Sequence, residues 1–204
     1  MIPENAGPAA VIVLAAGAGT RMKSRTPKIL HEIGGLSMVG HALRAARSIN
    51  PQRLAIVVRH ERDLVEGHVA ALDPQALIVD QDDVPGTGRA VEAALEALDA
   101  GQALDGTVVV TYGDVPLLSG ELLTELVATH EFEGNAVTVL TAVLDDATGY
   151  GRILRAEDGS VTGIREHKDS SEAEKLIREV NSGIYAFDAA VLRDALGVAL
   201  PVGV

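Results

Sequence analysis

The chain has 204 residues, 47% of them hydrophobic but only 2% aromatic, and a net charge of −12 from 17 basic and 29 acidic side chains, with no cysteine. The missing cysteine excludes disulfides and thiolate metal sites and fits a reducing compartment, while the acidity, relieved by no Lys/Arg run, argues against nucleic acid as a partner. The length sits at the upper end of one domain, and its core must come from Val, Ile, Leu and Ala, as suits a buried parallel sheet between Ala-rich helices.

The first residues, MIPENAGPAA, lack the basic and apolar regions of a secretory signal. No apolar run approaches the ~20 residues that span a bilayer, so the expected setting is the cytoplasm, with no membrane partner. Ala9 to Ala16 is a continuous apolar run, as a strand buried on both faces should be. Ser37 is placed to cap a helix running to Arg47, with Val39, Ala42, Leu43 and Ala46 on one face. Arg53 to Val58 is the next strand, and Leu64, Val65, His68, Val69 and Leu72 form the next helical stripe.

Ala76 to Val79 reads as a strand, and Ala90, Val91, Ala94, Leu95 and Leu98 mark a helix behind GTG. Thr107 to Thr111 is a strand, Leu122, Leu123, Leu126 and Val127 a core-facing helix stripe behind Ser119, and Ala136 to Val143 a further strand. This alternation predicts an α/β fold with a doubly wound, mostly parallel sheet joined by right-handed crossovers. Beyond Val143 short strand-like pieces (151–154, 160–166 and 180–187) flank a polar helix near 171–177, which reads as a small mixed β wall beside a cleft. No linker separates two domains, so 1–204 is expected to be one domain. The six histidines show no metal spacing, and His68 and His130, beside apolar stripes, are expected to pack.

In an open parallel sheet ligands bind beyond the carboxyl ends of the strands. Gly17 and Gly19 follow the first strand directly, and such glycines let backbone N–H groups approach an anion. The plain alternative is an ordinary strand-to-helix turn. Met22 stands where a dinucleotide fingerprint needs its third glycine, and no Walker A pattern is present. Arg21 and Lys28 add a guanidinium fork and a mobile point charge suited to a polyphosphate, or else are two solvated loop charges like Lys23 and Arg25. Asp114, just past TVVVT, is a turn former or a Mg²⁺ ligand, since Mg²⁺ is held by one or two carboxylates plus substrate phosphates. Gln81, ahead of Pro85-Gly86-Thr87-Gly88, can address a base edge or lie as an exposed loop glutamine.

Together the stretches LAAGAGTRMKSRTPKILH, Gln81 with GTGRA, YGDVPLL, TGYGRI, EHKD and EVNSGIYAFD, in that order from Leu14 to Asp188, resemble the sugar-nucleotide pyrophosphorylase family. Within it they resemble the uridylyltransferase domain of the bacterial bifunctional UDP-N-acetylglucosamine pyrophosphorylase/glucosamine-1-phosphate acetyltransferases. The resemblance implies a Rossmann-like fold and the reaction of UTP with N-acetylglucosamine-1-phosphate to UDP-N-acetylglucosamine and pyrophosphate, for cell-wall precursors. It implies nucleotide contacts at Leu14, Ala15, Ala16, Gly17, Gln81, Gly86, Thr87, Tyr112 and Gly113. It further implies catalytic cations Arg21 and Lys28, Mg²⁺ on Asp114, and sugar contacts at Gly151, Glu166 and Asn181, with Tyr150 and Tyr185 shaping the wall. A charged strand end and a turn asparagine are the plain alternatives for Glu166 and Asn181.

The implied chemistry is an in-line attack of the sugar-phosphate oxygen on the α-phosphorus, which rests on positioning and charge neutralisation. The family pattern also implies an asparagine beyond Asp188 as second metal ligand, and a β-helix that carries an acetyltransferase and forms a homotrimer. The residues after Asp188, ending in LGVALPVGV, contain no asparagine. The expectation is therefore a nucleotidyltransferase domain cut short at its C-terminal end. Its alternatives are a nucleotidyltransferase of other base specificity or a catalytically impaired nucleotide-sugar-binding fragment.

Overall fold

β1 (Ala10–Leu14) is the apolar run AVIVL with every residue buried, because it lies between two parallel neighbours, β4 (Arg53–Val58) on one side and β6 (Thr107–Tyr112) on the other. The computed structural model describes residues 7–17, 19, 22–100 and 102–199. They form two compact units, one of residues up to Thr138 and from Tyr185 onward, the other Val139–Ile184.

In the first unit the strands run in the order β5 (Leu77–Asp80), β4, β1, β6, all parallel, followed by the C-terminal half of β10 (Glu179–Asp188), which is antiparallel to β6. A short hairpin, β2 (Glu32–Ile33) with β3 (Leu36–Ser37), precedes α1. Helix α3 (Thr87–Asp99) packs on β1, β4 and β5, and α6 (Ala189–Ala199) packs on α3. Their apolar faces join Ala10, Ile12, Leu14, Ala55, Val57, Val108 and Val110 in one core cluster. Arg193 of α6 reaches back to Asp99 with Nε 2.8 Å from Oδ2, fixing the two helices at one end.

Val11 and Val13 alternate to the other face of β1, the side of α1 (Met38–Ser48), α2 (Arg62–Leu72) and α4 (Gly120–Glu133), none of which enters that cluster. Ser37 caps α1 as the sequence predicts, its hydroxyl accepting from Gly40 N at 3.1 Å. The predicted stripes on α2 and α4 are wider than the faces buried. Val65, Val69, Leu123 and Leu126 are buried, but Leu64, Leu72 and Leu122 are exposed. His68 is half-buried, with Nε2 2.7 Å from Ser37 Oγ.

His130 is buried, with Nδ1 3.0 Å from Thr138 Oγ1. Burial holds its imidazole below the ordinary range despite the opposing pull of Glu131 and Asp188. As pH falls through 6.5 the unfolded chain binds a proton there that the folded chain resists. The stability tied to neutral His130 is thus present above that pH and lost below it. The denaturant midpoint is expected to fall between about pH 7.5 and about pH 5.5, and to fall less in His130→Gln. Equal falls in the two proteins would contradict this role.

β7 (Val137–Val143) departs from the predicted parallel order: it pairs with β10 and has no fully buried residue. The second unit holds most of β7, the start of β10, and the antiparallel pair β8 (Arg152–Arg155) and β9 (Val161–Arg165). Within it α5 (Glu172–Lys175) is one turn long and is defined by a capping box between Ser171 and Glu174. These pieces match the short strands and polar helix read from the sequence, with boundaries shifted by one or two residues. Among the described residues no helix is long and apolar enough to cross a membrane.

Candidate nucleotide site

The parallel strands end level, because backbone bonds stitch the first residue of each loop to its neighbour. Ala15 N donates to Val57 O at 2.8 Å, Gly113 N to Leu14 O at 2.9 Å and Gln81 N to Val58 O at 2.9 Å. Four loops therefore leave one sheet edge side by side, in the order Gln81 after β5, Arg59 after β4, the glycine loop after β1, and Gly113-Asp114 after β6. They enclose a cleft of about 640 Å³, within the ~300–1,000 Å³ of small-molecule sites.

Most predicted residues meet there. Leu14, Ala15, Ala16, Gly17, Lys28, Gln81, Gly86, Thr87, Tyr112 and Asp114 all line the cleft. Gly113 is not among the lining residues. Its N–H is taken by Leu14, and a Cβ on it would lie 3.4 Å from Ala15 Cβ, so it braces the glycine loop from behind. Arg21 lies outside the described residues.

Lys28 follows Pro27 on a one-turn 3₁₀ helix (Lys28–Leu30), and its Nζ is 2.5 Å from Asp114 Oδ2. The pair joins residues 86 positions apart and stays about one third exposed on each side. Gly19 makes room for it: its φ is +58°, and a Cβ there would fall 2.6 Å from Lys28 Cβ.

Gln81 Nε2 donates to Val84 O and Gly86 O, both at 3.1 Å, so its amide folds the following loop back on itself. Its donor side is thereby engaged, leaving Oε1 as the atom suited to accept from a ligand. That loop is held outside as well, with Arg89 Nε 2.9 Å from Asp82 Oδ2 and Arg59 Nη2 3.3 Å from Asp83 Oδ1. The Arg89 guanidinium beside Asp82 holds its carboxyl below the usual range. Helix α3 starts at Thr87 with no side-chain cap, so its first N–H groups face the cleft mouth without a competing acceptor from Gly86.

Arg59 and His60 also line the cleft, and the sequence reading passed over them. The signal was available: they follow β4 directly, and every loop at that edge contributes to the site.

Gly151, Glu166 and Asn181 come together in the second unit. A Cβ on Gly151 would lie 3.3 Å from Glu166 Oε1 and 3.7 Å from Asn181 Cβ, and Asn181 N donates to Gly151 O at 2.9 Å. Tyr150, half exposed, flanks this group. Tyr185 belongs to the first unit, where it stacks on Phe187 with ring centroids 5.4 Å apart.

Among the described residues no three or more carboxylate or histidine groups converge as a metal cage. Asp114 is a single carboxylate at the cleft, with Oδ2 held by Lys28. One carboxylate fits a Mg²⁺ whose other ligands are substrate phosphates and water, and does not fit a metal held by protein alone.

Residues 11–182 match the MobA-like NTP transferase domain. The bifunctional protein GlmU of Pseudarthrobacter chlorophenolicus is 86% identical over 197 residues, which are 97% of this chain and 40% of that protein. GlmU of Micrococcus luteus is 63% identical (96% of this chain, 42% of that one), and GlmU of Streptomyces coelicolor 57% (93% and 39%). The chain thus spans about 40% of the length of these curated relatives. Among solved structures, HddC from Yersinia pseudotuberculosis, complexed with GMP-PN, has a TM-score of 0.67, covering 91% of this chain and 79% of that one. At 21% identity it speaks for the fold alone.

Proposed function

The chain belongs to the MobA-like NTP transferase domain family and is a nucleotidyltransferase, and from that premise we propose that it transfers the uridylyl group of UTP to N-acetylglucosamine-1-phosphate, releasing pyrophosphate. The observation that supports this reading most is the row of loops at the sheet edge, with Gln81 at one end and the Lys28–Asp114 pair at the other. A nucleoside triphosphate has the same polarity, an uncharged base at one end and its charge at the other. The GlmU relatives supply the choice of a sugar-nucleotide reaction.

In this reading Gln81 Oε1 accepts from the uracil N3–H, a donor that cytosine lacks. The backbone of 14–17 and the start of α3 at Gly86-Thr87 hold the rest of the nucleoside. Lys28 shares its ammonium between Asp114 and the phosphates, and Arg21 grips the triphosphate. Asp114 would hold Mg²⁺, which when bound would supply charge neutralisation at the reacting phosphates. The sugar phosphate arrives already ionised, so no side chain need abstract a proton. Its amino sugar is bound by Gly151, Glu166 and Asn181. The complete protein, cytoplasmic and trimeric through segments outside these 204 residues, acetylates glucosamine-1-phosphate as well.

Pyrophosphate release tests the reading, with N-acetylglucosamine-1-phosphate, Mg²⁺ and one of UTP, CTP, GTP or dTTP. The expected result is turnover with UTP at least about tenfold above CTP, whose cytosine leaves Gln81 Oε1 unpaired at a cost on the order of 1–3 kcal/mol, with GTP and dTTP, which keep a ring N–H, reporting how well the rest of the cleft fits the base. Preference for another base would move the protein to a sister specificity. Binding of UDP-N-acetylglucosamine without pyrophosphate release would leave a nucleotide-sugar-binding module.

A further inference from the structure

Arg152 is 1% exposed, the largest side chain among the most deeply buried. It sits on β8 beside the buried Ile153, where an apolar residue would pack without shedding a hydration shell. Among the described residues its guanidinium forms no ion pair, although its charge reaches the Asp146 carboxylate from a distance and helps to hold it below the usual range, after the bonds to Thr148. Nη1 donates to Tyr150 O, Nη2 lies 3.2 Å from His167 Nδ1 and 3.5 Å from Lys175 O, and buried Nε makes no hydrogen bond among the described residues. A buried cation whose hydrogen bonds all go to neutral acceptors is desolvated at a cost those bonds offset poorly, so stability alone does not explain it.

The positions it joins do. Tyr150 precedes Gly151, His167 follows Glu166, and the backbone of Arg152 pairs with Val180, next to Asn181. Lys175 closes α5, the turn that follows the Glu166–Ser170 segment. Its side chain thus fixes a neighbour of Gly151 and a neighbour of Glu166, while its backbone pairs beside Asn181.

We propose that Arg152 is a positioning residue for the sugar phosphate, holding the Glu166–Ser170 turn against β8 and β10 so that Gly151, Glu166 and Asn181 present one surface. This rests on the sugar-binding reading of that group, and Arg152 itself acts through its neighbours rather than on substrate.

The test compares wild type with Arg152→Met, Arg152→Lys and His167→Ala. In Arg152→Met the KM for N-acetylglucosamine-1-phosphate is expected to rise about tenfold while the KM for UTP stays within about twofold, a loss of uniform binding confined to one substrate. Lysine, with one donor group, is expected to recover part of that loss. Amide hydrogen exchange at 166–175 is expected to quicken in Arg152→Met while exchange at 107–112 is unchanged. A folded Arg152→Met protein with an unchanged sugar-phosphate KM, or with both KM values raised alike, overturns the proposal. Should Arg152→Met fail to fold, His167→Ala decides it: a selective rise of about threefold supports positioning and no change overturns it. If wild type does not turn over the sugar phosphate at all, the proposed function fails. Exchange at 166–175 then still decides whether Arg152 holds the turn.

Discussion

Lys28→Ala is expected to lower turnover by about 10²–10³-fold, the usual cost of removing one preorganised charge donor, and to leave the unfolding midpoint nearly unchanged. Both partners of the Lys28–Asp114 pair are about one third exposed, and ion pairs of that exposure contribute little to stability. Their value lies in placement. Lys28 is set by Pro27 before it, by a single 3₁₀ turn and by the absent side chain of Gly19. Without the ammonium, Asp114 presents an uncompensated negative charge to an incoming triphosphate, in a chain already at −12. Asp114→Asn is expected to cost a similar factor, and the double variant less than the product of the two, because the pair acts as a unit. Stopped or continuous pyrophosphate assays at saturating substrates measure all three. A folded Lys28→Ala protein with near-normal turnover would falsify the assignment of the pair to the reacting phosphates.

Ile12→Ala is expected to cost about 2–5 kcal/mol in unfolding free energy, the range for truncating a buried isoleucine. Ile12 is 0% exposed, at the middle of β1 and between Ala55 and Val110 on the flanking strands. It belongs to the cluster that α3 and α6 share with the sheet. A loss of that size is a large part of the ~5–15 kcal/mol that holds a domain folded. The measurement is a urea or guanidinium titration of both proteins. A change well under 1 kcal/mol would mean that the centre of the sheet repacks around the gap, contrary to the close packing of interiors.

Strand positions were legible because a doubly buried parallel strand needs an unbroken apolar run, which AVIVL, RLAIVV and TVVVTY supply. The edge that carries the site was legible for the same reason, since any residue just past such a run lies at the carboxyl end. Breadth of burial was not. A stripe such as Leu64, Val65, His68, Val69, Leu72 gives the direction of a helix face but not the width of what it meets, and α2 buries only its centre. The alternation of strands and helices places β7 in the parallel sheet, although that order does not say which neighbour a strand takes; it pairs with β10. The contact of Lys28 with Asp114 spans 86 residues and leaves no local trace. Arg152 was equally hidden, because a single arginine in a strand reads as a solvated charge and only the packing of the 166–175 segment shows it to be enclosed.

Amide hydrogen exchange with and without saturating UTP and Mg²⁺ tests the central claim most directly, because it reports where on the chain the nucleotide sits without requiring turnover. The expected result is slowed exchange at 14–19, at 81–88 and at 112–114. Protection confined to other segments, or no protection at UTP concentrations that saturate binding, would contradict the placement of the nucleotide in this cleft.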